Sequence, residues 1–170
     1  MNKAIFLDRD GVICKEVSYI SHISQLQFEH RAKEAISIFS SLNYKSIIIS
    51  NQSGVGRGII ELEELLKIHN YIMEEIRVDE IYYCPHLPDE NCICRKPNIG
   101  MFEQAIRDHD IDIGNSYMVG DRSTDILAGK NAGLKTVSVK TGYGEVGTVP
   151  DFIFENLYEF AQYLELYSSN

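Results

Sequence analysis

The chain has 170 residues, 44% of them apolar and 24% charged, a balance that excludes a disordered chain and allows one globular domain with a sizeable core. Its net charge of −9 offers no basic field to a polyanion, so nucleic acid is disfavoured as a partner and a small anion would need locally placed cations. No run reaches the ~20 apolar residues of a membrane span, and the N-terminal run AIFL stops at Asp8, too short for a signal-peptide core.

AIFL (4–7) is a short apolar run without clean alternation, the pattern of a strand covered on both faces in a parallel sheet. RAKEAISIFSSL (31–42) has helical spacing, and SIIIS (46–50) repeats the strand pattern. Over 59–76 the periodicity predicts a helix with Leu62, Leu65, Leu66, His69, Ile72, Met73 and Ile76 on one face. Glu61, Glu63 and Glu64 occupy its first turn, where the helix dipole favours acids. EIYYC (80–84) is a third strand, IGMFEQAIRDH (99–109) a helix and SYMVG (116–120) a fourth strand. Residues 124–132 form a short helix ended by Gly133, KTVSV (135–139) is a fifth strand, and FIF (152–154) with a helix over 156–166 closes the chain. Alternating strand and helix predicts an α/β, doubly wound, mainly parallel, Rossmann-like sheet in a single domain over 1–170, without repeats or linkers. Right-handed crossovers would bring the carboxyl ends of the strands to one edge, where such sheets bind ligands.

A polar cluster stands at the end of each of the first four strands. Asp8-Arg9-Asp10-Gly11 comes after the first, Asn51-Gln52-Ser53-Gly54 after the second, a Cys/His cluster ending in Arg95-Lys96 after the third, and Asp121-Arg122-Ser123-Thr124-Asp125 after the fourth. Asp8 and Asp10 share a face if the strand geometry persists, and two such carboxylates repel unless a cation or proton intervenes. Asp121 would complete a hard oxygen site suited to Mg²⁺, although D-x-D-G is also good turn chemistry. SNQSGVGRG puts a hydroxyl, Ser50, at the strand end. The Gly-rich backbone after it can present N–H groups to a phosphate, or serve only as a flexible loop. It lacks the Gly-Lys-Ser/Thr of a nucleotide-hydrolysing loop. Ser123 or Thr124 is expected to cap the next helix, with Asp125 in its first turn and Asp121 left for the metal.

Cys84-x-His86 and Cys92-x-Cys94 supply a Cys₃His set suited to tetrahedral zinc, in a Pro- and Asp-containing stretch that can wrap around one ion. With no targeting segment recognised, a cytoplasmic location is expected. Thiols stay reduced there, which favours metal over a labile disulfide. Four protein ligands leave no open position, so Zn²⁺ in the 84–97 loop is expected to be structural. Cys14 stands apart and reads as an inert thiol.

In this order FLDRDGVI, SNQSGVGRG, YYCPH, CICRKP, GMF, SYMVGD and KTGYG resemble the haloacid dehalogenase superfamily of phosphohydrolases over essentially the whole chain. Within it the chain resembles the small capless phosphatases acting on D-glycero-D-manno-heptose 1,7-bisphosphate. The histidinol-phosphate phosphatases share the zinc loop. CPHLPDENC and GDR-x-TDI look like that branch, whereas SNQSGVGRG, Gly100-Met101 and TGYG look like the heptose branch. The resemblance implies Asp8 as the nucleophile and Asp10 as the general acid/base. It implies Ser50 as a hydroxyl bonded to the phosphoryl group and Lys96 as the cation neutralising phosphate and nucleophile. Mg²⁺ would be held by Asp8, the Asp10 backbone carbonyl and Asp121. Arg95, Glu16 and Tyr19 match substrate-facing positions, and Asn51, Gln52, Ser53 and Arg122 complete the implied binding set. Arg122 stands where many heptose phosphatases carry Lys, and Ser18 where Gly is expected. The implied protein is a monomeric enzyme of nucleotide-activated heptose synthesis, for lipopolysaccharide or another surface glycan.

Two other classes share some of these features. A receiver-like signalling domain is also α/β with an acidic pocket, but needs neither an acid two residues after the phosphorylated Asp nor a zinc loop. In a zinc-stabilised interaction module the carboxylates would be only turns. Steady Mg²⁺-dependent turnover of a phosphate ester separates the enzyme from both.

Overall fold

The computed structural model describes residues 1–144 and 147–167. In chain order the elements are β1 (Lys3–Leu7), α1 (Ala32–Ser41), β2 (Tyr44–Asn51), α2 (Ser53–Gly56), α3 (Leu62–Ile76), β3 (Glu80–Cys84) and α4 (Gly100–His109), then β4 (Tyr117–Gly120), α5 (Ser123–Asn131), β5 (Lys135–Val139), β6 (Phe152–Phe154) and α6 (Leu157–Tyr167). Short 3-10 turns lie at Ile23–Gln25, Pro88–Glu90 and Ile113–Asn115. Among the described residues no helix is long and apolar enough to cross a membrane.

The strands form one six-stranded parallel sheet in the order β3-β2-β1-β4-β5-β6. This is the expected doubly wound α/β architecture. The side-chain alternation of a strand explains how it is covered. Ile5 and Leu7 of β1 point into a core shared with Phe39, Ile68, Ile72 and Phe160, from α1, α3 and α6. Ala4 and Phe6 point the other way, into a second core with Met101, Phe102 and Ala105 of α4 and Ala128 of α5. Both faces are therefore apolar, which is why AIFL shows no polar alternation. The strand order reverses between β1 and β4. The crevice at such a switch point, outside the carboxyl ends of the strands, is where a ligand fits. Asp8 N–H donates to the Val119 carbonyl at 3.0 Å, joining the two strands where β1 ends.

The sequence-predicted helix over 59–76 starts later, at Leu62. Ile59 and Ile60 N–H both donate to the Gly54 carbonyl (2.8 and 3.0 Å) and close a turn after α2 instead. The face of α3 also differs: Leu62 and Leu66 are exposed, while Leu65, Ile68, His69, Ile72 and Ile76 are buried. Only Glu63 and Glu64 lie in its first turn, with Glu61 as the N-cap. The cap of α5 is Arg122 rather than Ser123 or Thr124, and its N–H donates to Asp125 Oδ2 at 3.1 Å.

His69 is 4% exposed and its Nε2 lies 3.4 Å from Arg9 Nη1. Burial first, and Arg9 second, push the imidazole down to about 3, so it stays neutral when folded and gains its proton on unfolding. Below the ordinary value of 6.5 the unfolded chain binds more protons, so stability is lost as pH falls, by up to about 1.4 kcal/mol per pH unit from this group. His69→Gln, which can still accept from Arg9, should lack this contribution. Urea midpoints of variant and parent should converge or cross in the variant's favour between about pH 7 and about pH 5; parallel curves would refute the assignment.

Candidate active site

The switch point is filled by acid. Asp8 leaves β1 and Asp121 leaves β4, with Asp125 one turn into α5; all three are buried. One carboxylate oxygen from each lies within 4.8 Å of the others. Lys96 Nζ reaches between them, 2.7 Å from Asp8 Oδ1 and 2.7 Å from Asp125 Oδ1. Burial works against the Lys96 charge, but Asp125 and Asp8 outweigh it and hold the proton. Burial pushes Asp8 up to about 8 against the pull of Lys96, with Asp125, Asp10 and Asp121 adding to the rise. It likewise pushes Asp121 up to about 7, opposed by the Tyr143 N–H. Lys96 alone does not neutralise this group of acids. Asp121 Oδ2 accepts from Tyr143 N–H at 2.7 Å, whereas its buried Oδ1 has no partner among the described residues. An orphan oxygen beside a second carboxylate, in a hard-donor setting, fits a small divalent cation. Asp125 fits less well as a ligand, because Lys96 takes one oxygen and the Arg122 N–H the other.

Asp10 is arranged differently. Its carboxylate is outside that acidic group and accepts a two-pronged contact from Arg9, Nε to Oδ1 at 2.9 Å and Nη2 to Oδ2 at 2.8 Å. Gln52 Nε2 donates to Asp10 Oδ2 at 3.0 Å and to Ser50 Oγ at 2.7 Å. Ser50 is 1% exposed and lies behind Gln52. Asn51 is also engaged with the protein: its carboxamide donates to the Lys96 carbonyl (3.2 Å) and accepts from the Lys96 N–H (3.0 Å). It holds the main chain that carries the buried ammonium.

Above these groups opens a cavity of about 650 Å³. Asp8, Asp10 and Lys96 line it, with Glu16 and Tyr19 from the segment after β1, Asn51, Gln52 and Ser53 from the end of β2, and Arg95 and Arg122. The sequence-nominated binding residues thus meet at one cavity, except Ser50. Arg122 Nη2 lies 3.6 Å from Glu16 Oε2, and its guanidinium stacks 3.8 Å from the Tyr143 ring centroid. Arg95 Nη1 donates to the His86 carbonyl at 3.3 Å.

The Cys/His loop closes on itself. Cys84, Cys92 and Cys94 Sγ and His86 Nδ1 lie within 4.8 Å of one another, five of the six pairs at 3.1–3.5 Å, with no disulfide among them. Tetrahedral zinc with ~2.3 Å thiolate bonds requires ligand-to-ligand edges of about 3.7 Å, so the donor set and its spacing fit one such ion with slight expansion. Cys14 is buried beneath the site, and burial raises its thiol far above the usual range.

A family model described as HAD-hydrolase-like matches residues 93–160. The D-glycero-beta-D-manno-heptose-1,7-bisphosphate 7-phosphatase of Helicobacter pylori is 40% identical over 140 residues, 79% of this chain and 81% of the relative. The chain belongs to this family of phosphatases. The D-glycero-alpha-D-manno-heptose-1,7-bisphosphate 7-phosphatase of Photorhabdus laumondii is 38% identical, covering 83% of this chain and 84% of its own. Among solved structures, D,D-heptose 1,7-bisphosphate phosphatase of B. bronchiseptica, complexed with magnesium and phosphate, superposes with a TM-score of 0.88 at 31% identity. That match covers 96% of this chain and 98% of the neighbour.

The heptose phosphatase family resemblance singled out Ser18 and TGYG, and both have a local physical reason. Ser18 has φ 64°, the left-handed region where Gly is easiest, and its N–H donates to Glu16 Oε1 at 2.7 Å. Gly142 lies against Asp121 with φ 69°; a Cβ there would come 2.1 Å from Asp121 Oδ2 and 2.7 Å from the Gly11 Cα. Three contributors escaped the reading of single residues: Arg9, Asp125 as a partner of Lys96, and Tyr143. Their positions in the chain hint at nothing more than turn, cap and loop.

Gly142→Ala should therefore cost about 1–3 kcal/mol in urea unfolding, combining overpacking with left-handed strain. A variant as stable as the parent would show that the loop can retreat freely.

Proposed function

We propose that the chain, as a single domain over 1–170, is a Mg²⁺-dependent phosphatase that removes the 7-phosphate of D-glycero-D-manno-heptose 1,7-bisphosphate through an aspartyl-phosphate. The observation that carries this is one buried carboxylate, Asp8, held by Lys96 at the switch point, with a second, Asp10, on the wall of the same cavity. The relatives named for heptose bisphosphates support the substrate. They weigh against histidinol phosphate, which the zinc loop alone would also allow.

In the proposed reaction Asp8 attacks phosphorus, the bond to the sugar oxygen breaks, and Asp10 gives that oxygen its proton. Asp10 then takes a proton from water as the water oxygen attacks the aspartyl-phosphate. Inorganic phosphate leaves and both acids return to their starting states. Splitting one displacement into two lowers each barrier. Most of the catalytic gain in such transfers is positioning and charge stabilisation. Lys96 faces the nucleophile and the arriving phosphoryl oxygens. Mg²⁺, held by Asp8, Asp121 and the Asp10 carbonyl, would supply further positive charge there. Arg95 and Arg122 give the rim cations suited to a second phosphate, with Glu16 and Tyr19 beside the sugar. Gln52, bonded to Ser50, supports Asp10, Asn51 supports the Lys96 main chain, and Ser53 opens α2 at the cavity edge.

Zn²⁺ on Cys84, His86, Cys92 and Cys94 is structural in this proposal, since four protein ligands leave it no open position. It steadies the loop whose next residues are Arg95 and Lys96. The enzyme acts as a cytoplasmic monomer, with a small phosphorylated sugar as its partner.

The deciding experiment compares kcat/KM for heptose 1,7-bisphosphate (both anomers) and histidinol phosphate with and without Mg²⁺. The heptose should lead by at least about tenfold; a clear lead for histidinol phosphate would reverse the choice. Asp8→Asn should reduce kcat by more than ~10⁴-fold while its melting temperature stays close to the parent's. Residual activity within tenfold would remove Asp8 as the nucleophile. Cys92→Ser should release zinc, measured by metal content, and lower the melting temperature by more than about 5 °C; an equally stable, equally active variant would overturn the structural-zinc role.

A further inference from the structure

We infer that Arg9 is a positioning residue: its guanidinium, anchored on His69 of α3, holds the Asp10 carboxylate in place for both proton transfers, with Gln52 as the second support. This rests on the proposed acid/base role of Asp10.

Arg9 is 1% exposed, among the largest fully buried side chains in the protein. A buried guanidinium is tolerated only when its donors are paired. Here Nε and Nη2 form the fork onto Asp10 at 2.9 and 2.8 Å, and Nη1 faces His69 Nε2 at 3.4 Å. His69 is neutral, so its ring nitrogen can accept. The ring itself is fixed edge-on against Tyr83 of β3, with centroids 5.3 Å apart. Gln52 completes the cradle from the end of β2, bridging Asp10 Oδ2 and Ser50 Oγ. Asp10 is thus tied to the β2 terminus and to α3, far along the chain from itself. Its side chain is 19% exposed against 1% for Arg9, so the acid faces the cavity and its support does not.

This matters because the two proton transfers have geometric demands. In the first, the proton leaves Asp10 as the sugar oxygen separates from phosphorus. In the second, the proton returns from the attacking water as the bond from phosphorus to Asp8 breaks. A carboxylate displaced by about 1 Å can cost on the order of 10²-fold in rate. Lysine keeps the charge of Arg9 but has no planar fork, so it cannot orient both oxygens.

The test uses Arg9→Lys with two substrates. Heptose bisphosphate has an alkoxide leaving group that needs the proton; p-nitrophenyl phosphate releases a stable phenolate that does not. Arg9→Lys should lower kcat and the single-turnover transfer rate for the heptose by about 10–100-fold, with KM within about threefold. Single-turnover nitrophenolate release should stay within about threefold of the parent. An equal loss on both substrates would mean a general structural role and overturn the inference, as would unchanged heptose turnover. Asp10→Asn separates the two layers. If it transfers the heptose phosphoryl group at the parental rate, the acid/base assignment itself fails. If it is impaired while Arg9→Lys is not, only the Arg9 role fails. Should Arg9→Lys not fold, Gln52→Met removes the other support without uncovering a buried charge. It should show the same substrate split, with a loss of about fivefold or more, and no split would overturn the cradle.

Discussion

Lys96 reaching between Asp8 and Asp125, at 2.7 Å from each, is the interaction on which the site depends. Three carboxylates are buried at the switch point of the sheet in a chain whose net charge is already −9. Without an internal cation they would be protonated or pulled apart, since burial alone drives carboxyl groups toward the neutral form. Removing the ammonium would leave buried carboxylates without their partner, a loss that typically costs ~3–5 kcal/mol, so Lys96 also sets the fold of its surroundings. The Asn51 carboxamide clamps the Lys96 main chain on both its N–H and its carbonyl. The Cys/His loop lies immediately before it in the chain. The proposed zinc and the proposed chemistry are linked through that short stretch of backbone.

Asp125 connects the same charge to helix geometry. One of its oxygens receives the Arg122 N–H at the start of α5 and the other receives Lys96. A capping residue and a charge partner are usually separate. Here they coincide, so the direction in which α5 leaves the site is coupled to the position of the ammonium.

Most of the sheet was readable from the chain because each strand is a short apolar run, with β1, β2 and β4 buried on both faces, and the runs at 80–84, 135–139 and 152–154 match the observed strands. Helix faces were less readable. In α3 the leucines at 62 and 66 follow helical spacing yet are exposed, because Ile68 and His69 set the buried stripe. Four-residue α2 is too short to show a period. At the site, clusters after strands were legible because right-handed crossovers gather strand ends. The direction of each side chain was not. Asn51 and Gln52, placed in the binding set by the family resemblance, line the cavity and also bond to Lys96, Asp10 and Ser50. Arg9 is the clearest case: nothing in the Asp8-Arg9-Asp10 stretch shows that this charge is internal, where it meets His69 of α3.

The close approach of Gly142 and Gly11 to Asp121 has a consequence for how this pocket can vary. Around Asp121 the close neighbours are main chain, a backbone N–H from Tyr143 and two glycines where a Cβ would collide with Asp121. Main chain cannot be altered one side chain at a time. The cavity itself is lined by side chains, among them Glu16, Ser18 and Tyr19 on the segment after β1, with Arg95 and Arg122. Changes in ligand range, by evolution or by design, therefore have room among the side chains that line the cavity, while the two glycines packed on Asp121 have none.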